Sequence, residues 1–263
     1  KRLTGGTAFA DVAVDDSIAA GSRELVVGAS LNGKLFLAYD SSVDRLHVYD
    51  PQLGTPRVRR VSLATPAAPT VANTGAGAYA ATIRYYRVRW IQLNSGVEVR
   101  RSEAGASVTF TPSGSGTHAR ITQPTVAGEG ETHWAIEASE DNASFYVLTE
   151  PAIGTTTYDD NETVADYSEE YEPSPITGYY GLFPSVKYLL TDGNRLLGAG
   201  SWEATGATSA GKNSTIWFTP VLGSADKGDD ERVPNQSDQK NRVALNENDG
   251  GFITGLGGPL NGI

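Results

Sequence analysis

The sequence lacks cysteine and methionine altogether. Without cysteine the chain can form neither a disulfide framework nor a thiolate metal site, and a cysteine nucleophile is excluded. Any stability needed outside a cell must then come from packing and assembly. Methionine is missing even at position 1, so we expect a processed or truncated chain.

The chain also lacks a long hydrophobic run and an excess of positive charge. No apolar stretch approaches the roughly 20 residues of a membrane-spanning helix, and no secretion leader opens the sequence, so we expect a soluble chain without membrane insertion. The 31 acidic residues outnumber the 21 basic ones, for a net charge of −10. This balance argues against DNA binding, because binding by phosphate neutralisation needs a basic surface. An acidic lumen would still let DNA pass through without being bound, because like charges repel.

What the sequence does contain is typical of an all-β protein. Its 30 glycines and 13 prolines in 263 residues fit many short strands joined by turns. We predict four segments: residues 1–65 and 176–263 as β flanks, 66–160 as a β-sandwich that folds alone, and 161–175 as an acidic linker stiffened by two prolines. No helix is required in this interpretation.

The central segment is organised around residues 82–91, where β-branched and aromatic side chains dominate. Tyr86, Val88 and Trp90 share one face at period two, which predicts a half-buried strand. The turn Asn94-Ser95-Gly96 reverses the chain. Further strand runs, separated by turns at the spacing expected of a β-sandwich, lie at 119–121, 132–138 and 144–148.

The two flanks share a weak internal repeat. Residues 34–39 and 45–49 predict a β-hairpin, and the strand run 195–200 followed by 215–219 parallels it. Each pair is typical of two inner strands of one propeller blade, a unit that needs neighbours to bury its faces. The central segment would then be an insertion between the blades.

Several of these stretches carry a resemblance to known virion proteins. With Pro66–Thr70, Tyr85–Val88, Trp134–Ser139 and Thr155–Asp160, the central segment resembles the fibronectin-type-III or immunoglobulin-like modules of tailed-bacteriophage virion proteins. With Asn194–Gly200, Ile216–Thr219 and Gly250–Leu256, the flanks resemble the propeller part of tail-nozzle and tail-hub proteins of short-tailed phages. The flanks are short for a complete propeller, so we expect an incomplete propeller or missing sequence.

The resemblance implies a structural protein of the virion, located in the phage tail. Such a protein is a subunit of a homo-oligomeric nozzle or hub ring that forms part of the DNA ejection conduit. Its implied partners are copies of itself, other tail, adaptor or fibre proteins, and double-stranded DNA that passes through the lumen without specific binding. The resemblance implies no enzyme activity, no cofactor and no metal.

The alternative is a secreted carbohydrate-binding or glycan-cleaving β protein with an accessory sandwich module, and a bare adhesion module is a third possibility. Carboxylates such as those of Asp229–Glu231 could serve a glycosidase or hold calcium, but solvated loop charges are the simpler interpretation in so acidic a chain. The P-loop-like run 206–212 is followed by Asn213 instead of Ser or Thr. No metal-ligand spacing links His47, His118 and His133.

The predicted interaction residues lie in two loops, 201–214 and 223–239, which are too long for ordinary hairpin connections. We expect these loops to contact a neighbouring subunit or protein, with Trp202 buried there. We expect the carboxylates of the second loop to pair with basic residues across that interface or to face the lumen. They belong to Asp226, Asp229, Asp230 and Glu231.

Positive charge is concentrated on one hairpin of the central segment. The simpler interpretation is cross-strand pairing with Glu98 and Glu103, and the other is a patch for an acidic partner. The residues concerned are Arg84, Arg87, Arg89, Arg100 and Arg101.

Overall fold

The computed structural model of the chain describes residues 2–4, 8–10, 13–14, 27–38, 45–53, 57–75, 82–114, 117–162, 167–200, 214–221, 228–236, 240–245 and 253–257. The prediction of an all-β fold is confirmed, because these residues form antiparallel sheets with one turn of helix and a single parallel strand pair. The chain divides into two compact units. Unit 1 comprises Lys1–Ser62 and Tyr180–Ile263, and unit 2 comprises Leu63–Tyr179.

The first part of unit 1 contains a four-stranded antiparallel meander. Its strands β4 to β7 pair in sequence order, and β3 adds to β7 in parallel; we call these five strands sheet 1. The predicted hairpin is confirmed as β5 paired with β6, with Phe36 opposite Val48. The strands are β1 (Arg2–Thr4), β2 (Ala8–Ala10), β3 (Ala13–Val14), β4 (Val27–Leu31), β5 (Lys34–Ala38), β6 (His47–Asp50) and β7 (Arg57–Arg60).

Unit 2 consists of two sheets around one core. The long strand β9 pairs with β10, β11 and β13, and β14 extends that sheet; β12 lies between β8 and β15 in the other sheet. The strands are β8 (Thr70–Thr74), β9 (Arg84–Asn94), β10 (Val97–Arg101), β11 (Val108–Phe110), β12 (His118–Thr122), β13 (His133–Ser139), β14 (Tyr146–Thr149) and β15 (Thr157–Asp160).

The core of unit 2 explains why β9 is its central strand. Tyr86, Val88 and Trp90, which the period-two pattern placed on one face, are all buried, and they pack with Trp134 of β13 and Ile121 of β12. Side chains of both sheets therefore share one apolar layer. The other face of β9 is buried too, so the predicted half-burial underestimates how deeply this strand lies.

The segment predicted as a linker, 161–175, packs as part of unit 2. It contains helix α1 (Tyr167–Glu170), and the Tyr167 ring is fully buried in the core of the unit. Beyond the helix, the backbone carbonyl of Pro175 accepts a hydrogen bond from Arg89 at 2.7 Å. Burial of Tyr167 and this polar contact outweigh the acidic, proline-containing composition that suggested an open linker.

The second part of unit 1 repeats the meander of the first. Strands β16 (Tyr188–Asp192), β17 (Arg195–Ala199), β18 (Thr215–Phe218) and β19 (Arg242–Ala244) pair in sequence order; we call them sheet 2. Both meanders open with a two-residue hairpin turn whose residues have positive φ, Asn32-Gly33 in sheet 1 and Gly193-Asn194 in sheet 2. Such turns match the twist of the strands they join.

Sheets 1 and 2 share the core of unit 1. Phe36 and Val48 of sheet 1 pack in the same buried cluster as Leu189 and Leu196 of sheet 2. Phe183, which precedes β16, fills the same layer. Each meander thus buries one face against the other, and neither sheet closes into a barrel within the described ranges.

Candidate functional site

Three of the predicted interaction residues form a tight turn between β18 and β19. Asp229, Asp230 and Glu231 are only 4%, 3% and 1% exposed. The backbone N–H of Glu231 donates to the Gly228 carbonyl at 2.9 Å, and Gly228 has a φ of 74° that favours glycine. The expectation that these carboxylates lie in solvent, in a lumen or across a subunit interface is therefore corrected: they are buried within unit 1.

Glu231 is held by Arg59 of β7. The Arg59 guanidinium donates from its two terminal nitrogens to the two carboxylate oxygens of Glu231, at 2.7 and 2.6 Å. The backbone N–H of Ser62 donates to the same carboxylate at 3.0 Å. Such bidentate, charge-assisted pairs are among the stronger hydrogen bonds in proteins. They attach the turn after β18 to the end of sheet 1.

Lys34 and Asp50 complete this cluster from the neighbouring strands of sheet 1. The Lys34 ammonium lies 2.9 Å from both Asp230 and Glu231, and Arg59 donates to Asp50 at 2.8 Å. Lys34, Phe36 and Ala38 share one face of β5 by alternation, which explains why a cation lies beside the apolar core. We call Lys34, Asp50, Arg59, Asp230 and Glu231 the ionic cluster.

The charges of the ionic cluster compensate for its burial. Burial alone lowers the pKa of Lys34, but the attraction of Glu231 and Asp230 outweighs that effect and raises the pKa above its usual value. The same balance raises the pKa of Arg59, where burial is opposed by Glu231 and Asp50. Both side chains are therefore charged at neutral pH.

Asp229 turns away from the cluster and pairs with Arg232. The Arg232 guanidinium donates to Asp229 at 2.8 Å and lies 5.7 Å from the centre of the Tyr180 ring. Leu182 forms an isolated β-bridge with Arg232. These contacts fix the turn from its other side.

The arrangement is suited to holding the fold together and not to acid–base catalysis. A general acid or base must come within hydrogen-bond reach of a substrate, but Asp230 and Glu231 are buried and engaged by Lys34 and Arg59. In the described part of the chain, no three His, Asp or Glu side chains are grouped as a metal site would require. The sequence analysis missed Lys34 and Arg59. Lys34 lies on the same face of β5 as the buried Phe36 and Ala38, and that alternation could have indicated a buried cation.

Trp202 and Asp226, the other two predicted interaction residues, lie outside the described residues. So does the P-loop-like run 206–212. Of the histidines, His47 and His118 are buried and His133 is half-buried. Their strand positions agree with the interpretation of histidines that belong to the fold.

The predicted pairing of the central arginines with Glu98 and Glu103 holds for two of the five, because Arg101 contacts Glu98 and Arg89 lies 3.3 Å from Glu103. Glu137 of β13 accepts from both Arg87 and Arg89 on β9, at 2.5 and 2.6 Å. Arg101 pairs with the predicted Glu98 at 2.7 Å. Sequence reasoning missed Glu137, because it lies 50 residues from Arg87 along the chain and the pairing of β13 with β9 brings them together.

Arg84 shows the same kind of burial. It donates to the backbone carbonyl of Glu162 at 2.6 Å and to the hydroxyl of Tyr167 at 2.8 Å, and its side chain is fully buried beside Asp160. These buried arginines do not form an exposed basic patch for an acidic partner.

A more open feature is the face of sheet 2 that points away from the core. Cross-strand partners share a face, so the rows Leu190, Leu197, Phe218 and Tyr188, Ala199, Ile216, Val243 lie together on it. Most of these side chains are only half-buried, and Val243 on the edge strand β19 is 48% exposed. We call these seven residues the far face of sheet 2.

In comparisons with known proteins, no family model, no curated protein and no solved structure matched the chain. A search of the described residues for a helix long and apolar enough to cross a membrane found none.

Proposed function

We propose that the chain is a structural virion protein, a subunit of a ring in a phage tail nozzle or tail hub. In this role it lines part of the conduit for DNA ejection and docks other tail proteins, without catalysis and without a cofactor. The observation that carries the proposal is the architecture of unit 1. Unit 1 contains two four-stranded meanders that pack on one core. In the sequence, unit 2 lies between these two meanders as a separately compact β unit.

The meanders support the propeller-like part of the proposal. A propeller blade is a four-stranded antiparallel sheet that needs a neighbour on each face. Each meander of unit 1 buries one face against the other. The far face of sheet 2 carries half-exposed leucine, isoleucine, phenylalanine and valine side chains, and contact with a further sheet would bury them.

Unit 2 supports the inserted module. Its two antiparallel sheets share one core, which is the layer arrangement of fibronectin-type-III and immunoglobulin-like modules. It occupies a continuous stretch of sequence, whereas unit 1 is made of the stretches before and after it. The order of these segments agrees with a module inserted between two blades.

The net charge of −10 supports a passive conduit. DNA binding that relies on phosphate neutralisation needs a basic surface, and an acidic wall repels the duplex and lets it pass. The glycan-cleaving alternative is weakened, because the carboxylates of Asp229, Asp230 and Glu231 are buried and paired.

The test is the assembly state of the purified chain. We expect closed rings in negative-stain images, and antibodies against the chain should label the tail axis of virions. Val243→Asp places a charge on the far face of sheet 2, so we expect it to reduce ring formation while circular dichroism stays unchanged. Val97→Asp is the matched control, because Val97 is 54% exposed on β10 of unit 2.

A dispersed monomer that binds or cleaves glycans, and that does not label virions, would contradict the proposal and favour the carbohydrate-active alternative. If Val243→Asp forms rings as well as the parent chain does, the ring proposal stands, but the far face of sheet 2 is not the interface between subunits.

A further inference from the structure

A small cleft in unit 1 lies beside the paired strands β18 and β19 of sheet 2. Its volume is about 170 Å³, well below the roughly 300 to 1,000 Å³ of pockets for drug-sized ligands. Apolar side chains line it together with one amide and one guanidinium. The cleft is lined by Gly181, Leu182, Pro184, Trp217, Val233, Pro234, Asn235 and Arg242.

The strand register places the two largest side chains of the cleft next to each other. Trp217 of β18 and Arg242 of β19 are Cα partners, so their side chains project from the same face of sheet 2. Trp217 packs partly against the core of unit 1, and Arg242 is exposed. The aromatic ring thus has a fixed position, and a cation stands beside it at the entrance.

The other walls are held by backbone contacts. The N–H of Val233 donates to the Gly181 carbonyl at 2.8 Å, and a Cβ at position 181 would collide with the Val233 carbonyl oxygen. Glycine at 181 therefore permits the close approach of these two segments. The segment 233–235 follows directly on the turn that the ionic cluster anchors.

Arg242 differs from the other arginines with described side chains, each of which has a hydrogen bond, an ion pair, a ring contact or an electrostatic interaction. The Arg242 guanidinium has no hydrogen bond, ion pair or ring contact within the part of the chain that the structure describes. Lys240, which is also exposed, lies two residues before Arg242 in the chain, and the backbone N–H of Arg242 donates to its carbonyl at 2.8 Å. In a chain with a net charge of −10, this entrance is a local positive site.

We propose that the cleft binds a carboxylate carried on a ring-sized apolar group. The apolar group would pack against Trp217, Pro184 and Pro234. Its carboxylate would accept two hydrogen bonds from Arg242, whose planar fork matches that geometry. This binding activity goes beyond the proposed role in the virion. The ligand could be a free organic acid or the last residue of a polypeptide, since both present the same chemistry.

The experiment uses the full chain and follows the indole N–H signal of Trp217 by NMR, assigned with the variant Trp217→Phe. The probes are cyclohexanecarboxylate, its carboxamide, and the peptide Gly-Gly-Leu with a free or an amidated terminus. We expect saturable shifts with at least one carboxylate probe, and amide analogues at least about tenfold weaker. The probe that binds identifies the source, free acid or chain terminus.

The matched variants are Arg242→Gln, Arg242→Lys and Lys240→Gln. Both positions are exposed, so the variants should fold. We expect Arg242→Gln to weaken binding at least about tenfold, Arg242→Lys to restore part of it, and Lys240→Gln to change it less than about threefold. Absence of saturable binding, or equal binding of acid and amide, would overturn the proposal. So would unchanged binding by Arg242→Gln. None of these results bears on ring formation.

Discussion

At the residue scale, the protein places charged side chains where sequence patterns predict solvent. Arg59 and Arg89 are fully buried, and Glu231 is 1% exposed. Buried charges are costly unless they are paired and their remaining hydrogen-bonding groups are satisfied. In unit 1 the pairing joins sheet 1 to the turn after β18, so loss of a single carboxylate has consequences for a whole segment.

The first prediction concerns Glu231→Gln. This change removes the charge that compensates Arg59 and Lys34 and leaves both cations buried. Because breaking a buried pair by removing one partner typically costs about 3 to 5 kcal/mol, we expect a loss of that order in the unfolding free energy of unit 1. Urea titrations followed by the Trp217 indole signal measure it.

The matched control is Asp192→Asn, at the exposed end of β16. Substitutions at such surface positions usually change stability by less than about 0.5 kcal/mol. If Glu231→Gln is no more destabilising than Asp192→Asn, the ionic cluster does not anchor the turn.

At the element scale, strands and local hairpins were the most predictable features, and long-range partners were the least. The hairpin β5–β6 and the strand β9 follow from residue patterns within a few positions of each other. The pairing of Glu137 with Arg87 and the docking of Glu231 on Arg59 join strands and turns far apart in sequence. No periodicity encodes such contacts, since the fold of the whole sheet creates them.

The helix α1 shows the same limit. The surrounding acidic residues and prolines indicated a linker, and only the core of unit 2 explains why Tyr167 is buried there. Trp202 and Asp226 stay predictions. Asp229, Asp230 and Glu231 were expected at an interface or facing a lumen, whereas the structure buries them inside unit 1.

The second prediction compares two strand glycines. A Cβ at Gly198 of β17 would lie 2.7 Å from Phe183 and 3.0 Å from Val186, whereas a Cβ at Gly28 of β4 would make ordinary contacts of 3.4 Å or more. Gly198→Ala should therefore overpack the core of unit 1 and cost about 1 to 3 kcal/mol. Gly28→Ala should be neutral or slightly stabilising, because alanine reduces the freedom of the unfolded chain.

Thermal unfolding of the two variants beside the parent protein tests this pair. Equal melting temperatures for Gly198→Ala and Gly28→Ala would mean that Phe183 and Val186 move aside without cost, and that sheets 1 and 2 pack more loosely than described.

At the scale of the whole molecule, the chain consists of a continuous unit placed within a discontinuous one. The sequence predicted this order of segments but set the end of the central segment at residue 160. The structure continues unit 2 to Tyr179, because α1 and the segment after it complete its core and its polar contacts.

The third prediction follows from that difference in boundaries. The fragment 63–179 should fold alone and unfold cooperatively. The fragment 66–160 lacks Tyr167 and the Pro175 carbonyl, so Arg84 and Arg89 lose partners. Loss of the buried Tyr167 ring alone should cost about 3 to 5 kcal/mol, a large part of the stability of a domain.

Circular dichroism melts of the two fragments provide the measurement. Fragments with the same melting temperature would mean that residues 161–179 add nothing to unit 2, and the sequence-based boundary would be restored.

The ionic cluster also imposes an order on events during synthesis. Arg59 and Glu231 are 172 residues apart, and all of unit 2 is translated between them. At roughly 5 to 20 residues per second, the ribosome takes on the order of 10 to 35 s to deliver Glu231 after Arg59 has emerged. During that interval unit 2 can fold, while Lys34 of β5 and Arg59 of β7 have Asp50 as a carboxylate partner but still lack Asp230 and Glu231. A chain cut short before Glu231 would keep two buried cations without the carboxylate that both of them contact.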